Sequence, residues 1–165
     1  MFLWYIGLSV LLVANVFKSV GLDYRLIAVG AMLPLLIDIP VGHRAFGHTL
    51  AFAALALVVV MVWPMRGSRL GRRRWLCVPI GIFAGLVLSG AWMNTELFWW
   101  PFFGPSFGDS PLLPVWWLVV LEELVGLVAC WWVVGQFDLW VPEVRRDFLR
   151  TGRLKETDGG LGGDC

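Results

Sequence analysis

Charge is scarce in this chain of 165 residues. Asp, Glu, Lys and Arg together make up 15% of it, against roughly 25% in soluble domains, which is too little polar surface to cover a globule in water. Tyrosine and histidine are scarcer still, with 2 of each. The cysteines are Cys77, Cys130 and Cys165, an odd count with no short spacing, so they offer neither a disulfide framework nor a metal motif. A balance of 13 Lys+Arg against 12 Asp+Glu argues against a nucleic-acid partner, which needs a contiguous basic face. Disorder and a coiled coil are equally out of keeping with so little charge. What abounds is hydrocarbon. Hydrophobic residues reach 59%, with 11 Trp and 11 Phe, and the mean hydropathy is +0.77. The class that remains is an all-α polytopic membrane protein.

A helix needs about 20 apolar residues to cross ~30 Å of hydrocarbon. Residues 1–17, 45–65 and 75–95 are free of Asp, Glu, Lys and Arg, and 110–137 is interrupted only by Glu122 and Glu123. A shorter run, 26–37, contains Pro34 and ends at Asp38. Extended to 24–40 it becomes a kinked helix that can just cross, since Pro34 removes one backbone bond. With five helices, every Lys and Arg except Arg44 falls on one side, and positive loops face the cytoplasm. The expected topology is therefore five transmembrane helices in the cell membrane, N-terminus outside and C-terminus inside. The opening residues lack a basic n-region, and 13–17 make a poor cleavage site; the expectation is a retained first helix rather than a signal peptide.

Residues 94–113 carry Pro101, Pro105 and Pro111 among Trp99, Trp100, Phe102, Phe103 and Phe107. Proline forbids one continuous helix there, and the rings favour the headgroup boundary. The expectation is an interfacial aromatic loop, serving as an anchor or as a lid. The division is a transmembrane domain over 1–142 and a polar cytoplasmic tail over 143–165, where Gly159-Gly160-Leu161-Gly162-Gly163 has linker composition.

Chemistry concentrates between Leu33 and Leu50. Asp38, His43 and His48 offer one oxygen and two nitrogens, a donor mix that suits zinc or another divalent metal. On one helix the two histidines would point roughly 140° apart, so convergence needs a turn, for which Gly42 and Gly47 provide. The same residues also read as a short polar turn with a histidine at a helix start. Arg44 has the planar fork to hold a phosphate or carboxylate. Glu96, beside Asn94 at the outer end of the fourth helix, is a candidate ligand or general base, or a solvated helix end. Glu122 and Glu123 fall inside the fifth span, where an ionised carboxylate costs roughly 2.5–3.5 kcal/mol or more. They read as helix–helix glue, as part of the polar site, or as proton or ion handling.

Leu33-Pro34 with Ile37-Asp38, then His43-Arg44 and His48-Thr49-Leu50 at the head of a helix, resembles the membrane-bound metal-dependent hydrolases that include the YdjM-type inner-membrane proteins. Phe98-Trp99-Trp100-Pro101-Phe102-Phe103-Gly104 is similar to that family's tryptophan-rich element, and the resemblance covers roughly residues 20–110. It implies Asp38, His43 and His48 as metal ligands and Arg44 beside them. The sequence departs from the pattern at Leu35, Gly85 and Ser89, where the family has an acid, a histidine and an aspartate. Three readings follow. One is a hydrolase with a divalent metal, acting on an ester or phosphoester at the outer leaflet with Arg44, Glu96 and Glu123 as catalytic groups. The second is a catalytically inactive membrane scaffold or partner subunit. The third is a small transporter using Glu122 or Glu123. Expected partners are membrane lipid and a membrane-protein partner or second copy.

Overall fold

The computed structural model of the chain describes residues 1–17, 22–63, 74–102, 111 and 115–152. The arginines at 66, 69, 72 and 73, Lys18, most of the aromatic loop beyond Phe102 and the tail from 153 lie outside the described residues. Those described are helical, with no strand among them. The helices are α1 (Phe2–Phe17), α2 (Tyr24–Asp38), α3 (Leu50–Val62), α4 (Cys77–Leu88), α5 (Thr95–Phe98), α6 (Trp116–Gln136) and α7 (Pro142–Thr151). Short 3-10 turns occupy Phe46–His48 and Ala91–Met93. The all-α class read from the sequence holds. Of these helices, α6 is long and apolar enough to cross a membrane, while α1, α3 and α4 are apolar but shorter.

Helix limits follow local chemistry. Asp23 caps α2 by accepting the Arg25 N–H at 3.2 Å, and Thr49 caps α3 by accepting that of Phe52 at 3.2 Å, each satisfying one orphan donor of a first turn. Pro34 sits within α2 without ending it. The apolar run 75–95 does not form one helix: α4 stops at Leu88, and Gly90 turns the chain at φ 67°, a left-handed conformation open to glycine. Glu96 therefore rides on the separate helix α5, behind an Asn94 cap.

Small residues bring the helices together. Gly81 and Gly85 lie four apart and share one face of α4. A Cβ on either would run into the backbone of α2, at Ile27 and Ala31 respectively, and one on Gly30 would meet the Val78 carbonyl. The pairing of 27 with 81 and 31 with 85 makes α2 and α4 parallel. Gly7 and Gly126 do the same for α1 and α6, where Gly126 abuts Leu3 and Trp4 and Val10 and Val13 cluster with Val133 and Phe137. Those two helices are also parallel. Between the pairs the direction reverses, since Met1 and Tyr5 cluster with Leu35 and Ala31, and Val10 and Val13 with Ile27 and Tyr24. Backbones this close gain dispersion contacts that bulky side chains would deny them.

The bundle thus has two ends. At one, Asp23 is 3% exposed and accepts the Arg74 Nε–H at 2.7 Å, while the Tyr24 N–H donates to the Gly152 carbonyl at 2.9 Å and so fastens the end of α7 to the start of α2. At the other end lie Met1, Tyr5, Leu35, Asp38 and the midsection of α6. The outer faces are apolar. Val62 is 74% exposed, Trp116 77% and Trp131 67%. A groove of about 580 Å³ between α1, α3 and α4 is lined by apolar side chains, among them Leu12, Val16, Leu57, Phe83 and Val87.

Candidate functional site

The chain leaves α2 at Asp38 and turns back on it. The Val41 and Gly42 N–H groups both donate to the Asp38 carbonyl at 3.1 Å. The Asp38 side chain, 1% exposed, then gathers the whole turn. It accepts the Ala45 N–H at 2.8 Å, the Gly47 N–H at 2.9 Å and faces His48 Nδ1 at 2.6 Å. Gly47 is needed for this closeness, because a Cβ there would strike the Pro34 carbonyl and the Asp38 carboxylate. Immediately afterwards Thr49 donates its hydroxyl to the Phe46 carbonyl at 2.8 Å while capping α3. One carboxylate therefore sets both the return of the chain and the start of the next helix.

Asp38 and His48 form a buried couple, with side chains 1% and 2% exposed. Burying either group alone would be costly, and their short contact offsets that cost. With Nδ1 engaged by the carboxylate, Nε2 is the ring nitrogen left for other chemistry, the arrangement in which carboxylates orient histidine ligands and bases.

The other sequence candidates go different ways. His43 is half-buried and joins Pro111 through an isolated antiparallel bridge, so the aromatic segment is tied to the histidine turn by backbone. Phe46 adds ring contacts with Trp100 at 6.0 Å and with Phe52 at 5.5 Å. Arg44 is half-buried, and its guanidinium lies within electrostatic reach of Tyr5 on α1 and Glu122 on α6. Arg44 Nε and Glu122 Oε2 are buried and find no hydrogen-bond partner among the described residues. Glu96 is exposed in the first turn of α5 and contributes nothing to the Asp38–His48 couple.

Glu123 has partners of its own. One oxygen accepts the Phe2 N–H at 2.8 Å and the other the Leu3 N–H at 3.0 Å, and the Met1 amino group pairs with the same carboxylate. A side chain in the body of α6 thereby caps α1, whose first N–H groups have no intrahelical acceptor and carry partial positive charge. Ser89 bonds locally to the Leu86 carbonyl at 2.9 Å.

Tyr5 was missed in the sequence. A phenol inside an apolar helix is a signal in itself, since a buried hydroxyl wants polar company. Gly47 was read with Gly42 as allowing a turn, and the structure adds that its N–H meets the Asp38 carboxylate.

Among the described residues, no group of three or more His, Cys, Asp or Glu side chains is arranged to hold a metal ion. Asp38 and His48 come together, and His43 stands apart from them on its own bridge. The chain matches no family model, no curated protein and no solved structure.

Proposed function

We propose that the chain is a five-span membrane protein, N-terminus outside and C-terminus in the cytoplasm, related in plan to the membrane-bound metal-dependent hydrolases but acting as a scaffold or partner subunit. The membrane reading is supported by the large apolar side chains of α3 and α6 that face outward, among them Leu55, Val58, Val62, Trp116, Leu124 and Trp131, since contiguous exposed apolar patches mark contact with a membrane or a partner. The helix directions support the topology, with α1 and α6 parallel and α2 and α4 running against them.

One observation carries the non-catalytic reading. Where the resembled family has a histidine on its later helix, this chain has Gly85, and the backbone of Ala31 fills the space its Cβ would need. Two of the remaining candidates are committed to structure, Asp38 to its turn and Glu123 to α1. The polar groups then hold the bundle in register, as buried pairs do in some systems.

The hydrolytic reading keeps one point in its favour, the Asp38–His48 couple with the unpartnered Arg44 Nε close by in sequence. Bound metal separates the two. In protein purified in mild detergent, the scaffold predicts zinc, manganese and iron below about a tenth of an equivalent, unchanged by His43→Ala or His48→Ala. Near-stoichiometric metal that His48→Ala abolishes would establish the hydrolase instead.

A further inference from the structure

Helix α7 lies across the Asp23 end of the bundle. Its inward stripe is Val144 and Phe148, both half-buried, with Phe148 packed on the cluster around Tyr24 and Ile27. Its outward face has another character. Val141, Arg145 and Leu149 recur at four-residue spacing and form one stripe, and Arg146 and Arg150 form the next. All five are exposed, Leu149 by 62%. Trp140, 62% exposed and paired edge-on with Trp131 at 5.5 Å, extends the apolar edge. A hollow of about 380 Å³ is lined by Pro142, Glu143, Arg145, Arg146 and Leu149. Among the described residues neither Arg145 nor Arg146 pairs with a carboxylate, whereas Arg25 and Arg74 nearby are both engaged by Asp23.

We propose that this face of α7 is a seat for anionic phospholipid headgroups of the leaflet it borders, with Arg145 and Arg146 taking the phosphate and Leu149 and Trp140 entering the acyl boundary. The arrangement matches what a leaflet offers. Apolar residues at one edge of a helix, flanked by long cationic stems, are how interfacial helices divide between tails and headgroups. Two adjacent cationic side chains attract an anionic headgroup by charge. Glu143 and Asp147 form the adjoining stripe, and Glu143 lines the same hollow, yet among the described residues neither forms an ion pair with Arg145 or Arg146. The fastening of Gly152 to Tyr24 and of Leu149 to the Arg25 guanidinium holds the face in place. The assignment rests on the membrane reading above and adds the lipid class to it.

The test uses the full chain in detergent, titrated with short-chain phosphatidylglycerol, short-chain phosphatidylcholine and inorganic phosphate. Phosphatidylglycerol binds the parent, and Arg145→Gln with Arg146→Gln weakens it about thirtyfold, on the usual worth of two basic residues at an anionic surface. Arg145→Lys with Arg146→Lys retains binding within a few-fold, and phosphatidylcholine binds parent and variant alike. Equal affinity of parent and Gln variant for phosphatidylglycerol overturns the proposal. So does a Lys variant as impaired as the Gln variant, or inorganic phosphate binding the parent as tightly as the lipid does. Flotation of each variant with membranes reads the membrane assignment separately, and its failure would leave the soluble-lipid titration to stand or fall alone.

Discussion

Gly85 lies against Ala31 so closely that the carbonyl of one helix occupies the place of a side chain on the other. That contact couples two matters usually treated apart, how α2 and α4 pack and whether a ligand can project between them. The packing has taken the space. Gly85→Ala should therefore destabilise the protein by about 1–3 kcal/mol, the range for forcing a methyl into a filled interior, read from unfolding in detergent. Gly85→His, which places there the residue that the resembled family has, should be worse and should bind no metal. A stable Gly85→His protein that acquires zinc would show that the helices part readily and can admit a ligand between them.

The Glu123 carboxylate supports the first turn of α1 from a different helix. Glu123→Gln keeps the shape and one acceptor but loses the charge, and should cost about 1–2 kcal/mol. The loss should be local. Hydrogen exchange at the first amides of α1 should accelerate severalfold while the amides of α2 and α4 keep their protection. Uniform acceleration would mean that Glu123 stabilises the whole bundle through something other than the α1 terminus.

How far the sequence carried the account depended on the distance over which each interaction acts. Helix class was legible because it rests on composition and on runs of apolar neighbours, whereas the caps at Asp23 and Thr49, which set where α2 and α3 begin, were not read. The end of α4 was not read: the uncharged run to Thr95 hid it, because hydropathy does not register the left-handed Gly90. Asp38 and His48 were singled out as chemistry-bearing; that they pair with each other depends on a turn through Gly42 and Gly47 that no periodicity describes. Glu123 was recognised as needing a partner, yet the partners are backbone N–H groups more than a hundred residues earlier, which residue types cannot signal. Gly85 was noted as a departure from a family pattern, and only its contact with Ala31 shows what the departure accomplishes.

The topology makes a separate demand. The turn after α2 and the face of α7 should lie on opposite sides of the membrane. With Cys165 replaced by serine, Val41→Cys, at an exposed position, should react in intact cells with a maleimide that cannot cross membranes. Leu149→Cys, also exposed, should react only after permeabilisation. Labelling of both from outside, or of neither, would contradict the five-span arrangement.

The central claim is that the Asp38–His48 couple serves the fold rather than catalysis, and the stability of Asp38→Asn tests it most directly. Removing one member of a buried, hydrogen-bonded pair should cost about 3–5 kcal/mol, and here it also weakens the hold on Ala45 and Gly47. The account predicts a large fall in the unfolding midpoint for Asp38→Asn, a comparable fall for His48→Ala and no metal lost from either. Midpoints unchanged or raised in both variants would contradict it, because groups held for catalysis are commonly replaced at little or no cost to stability.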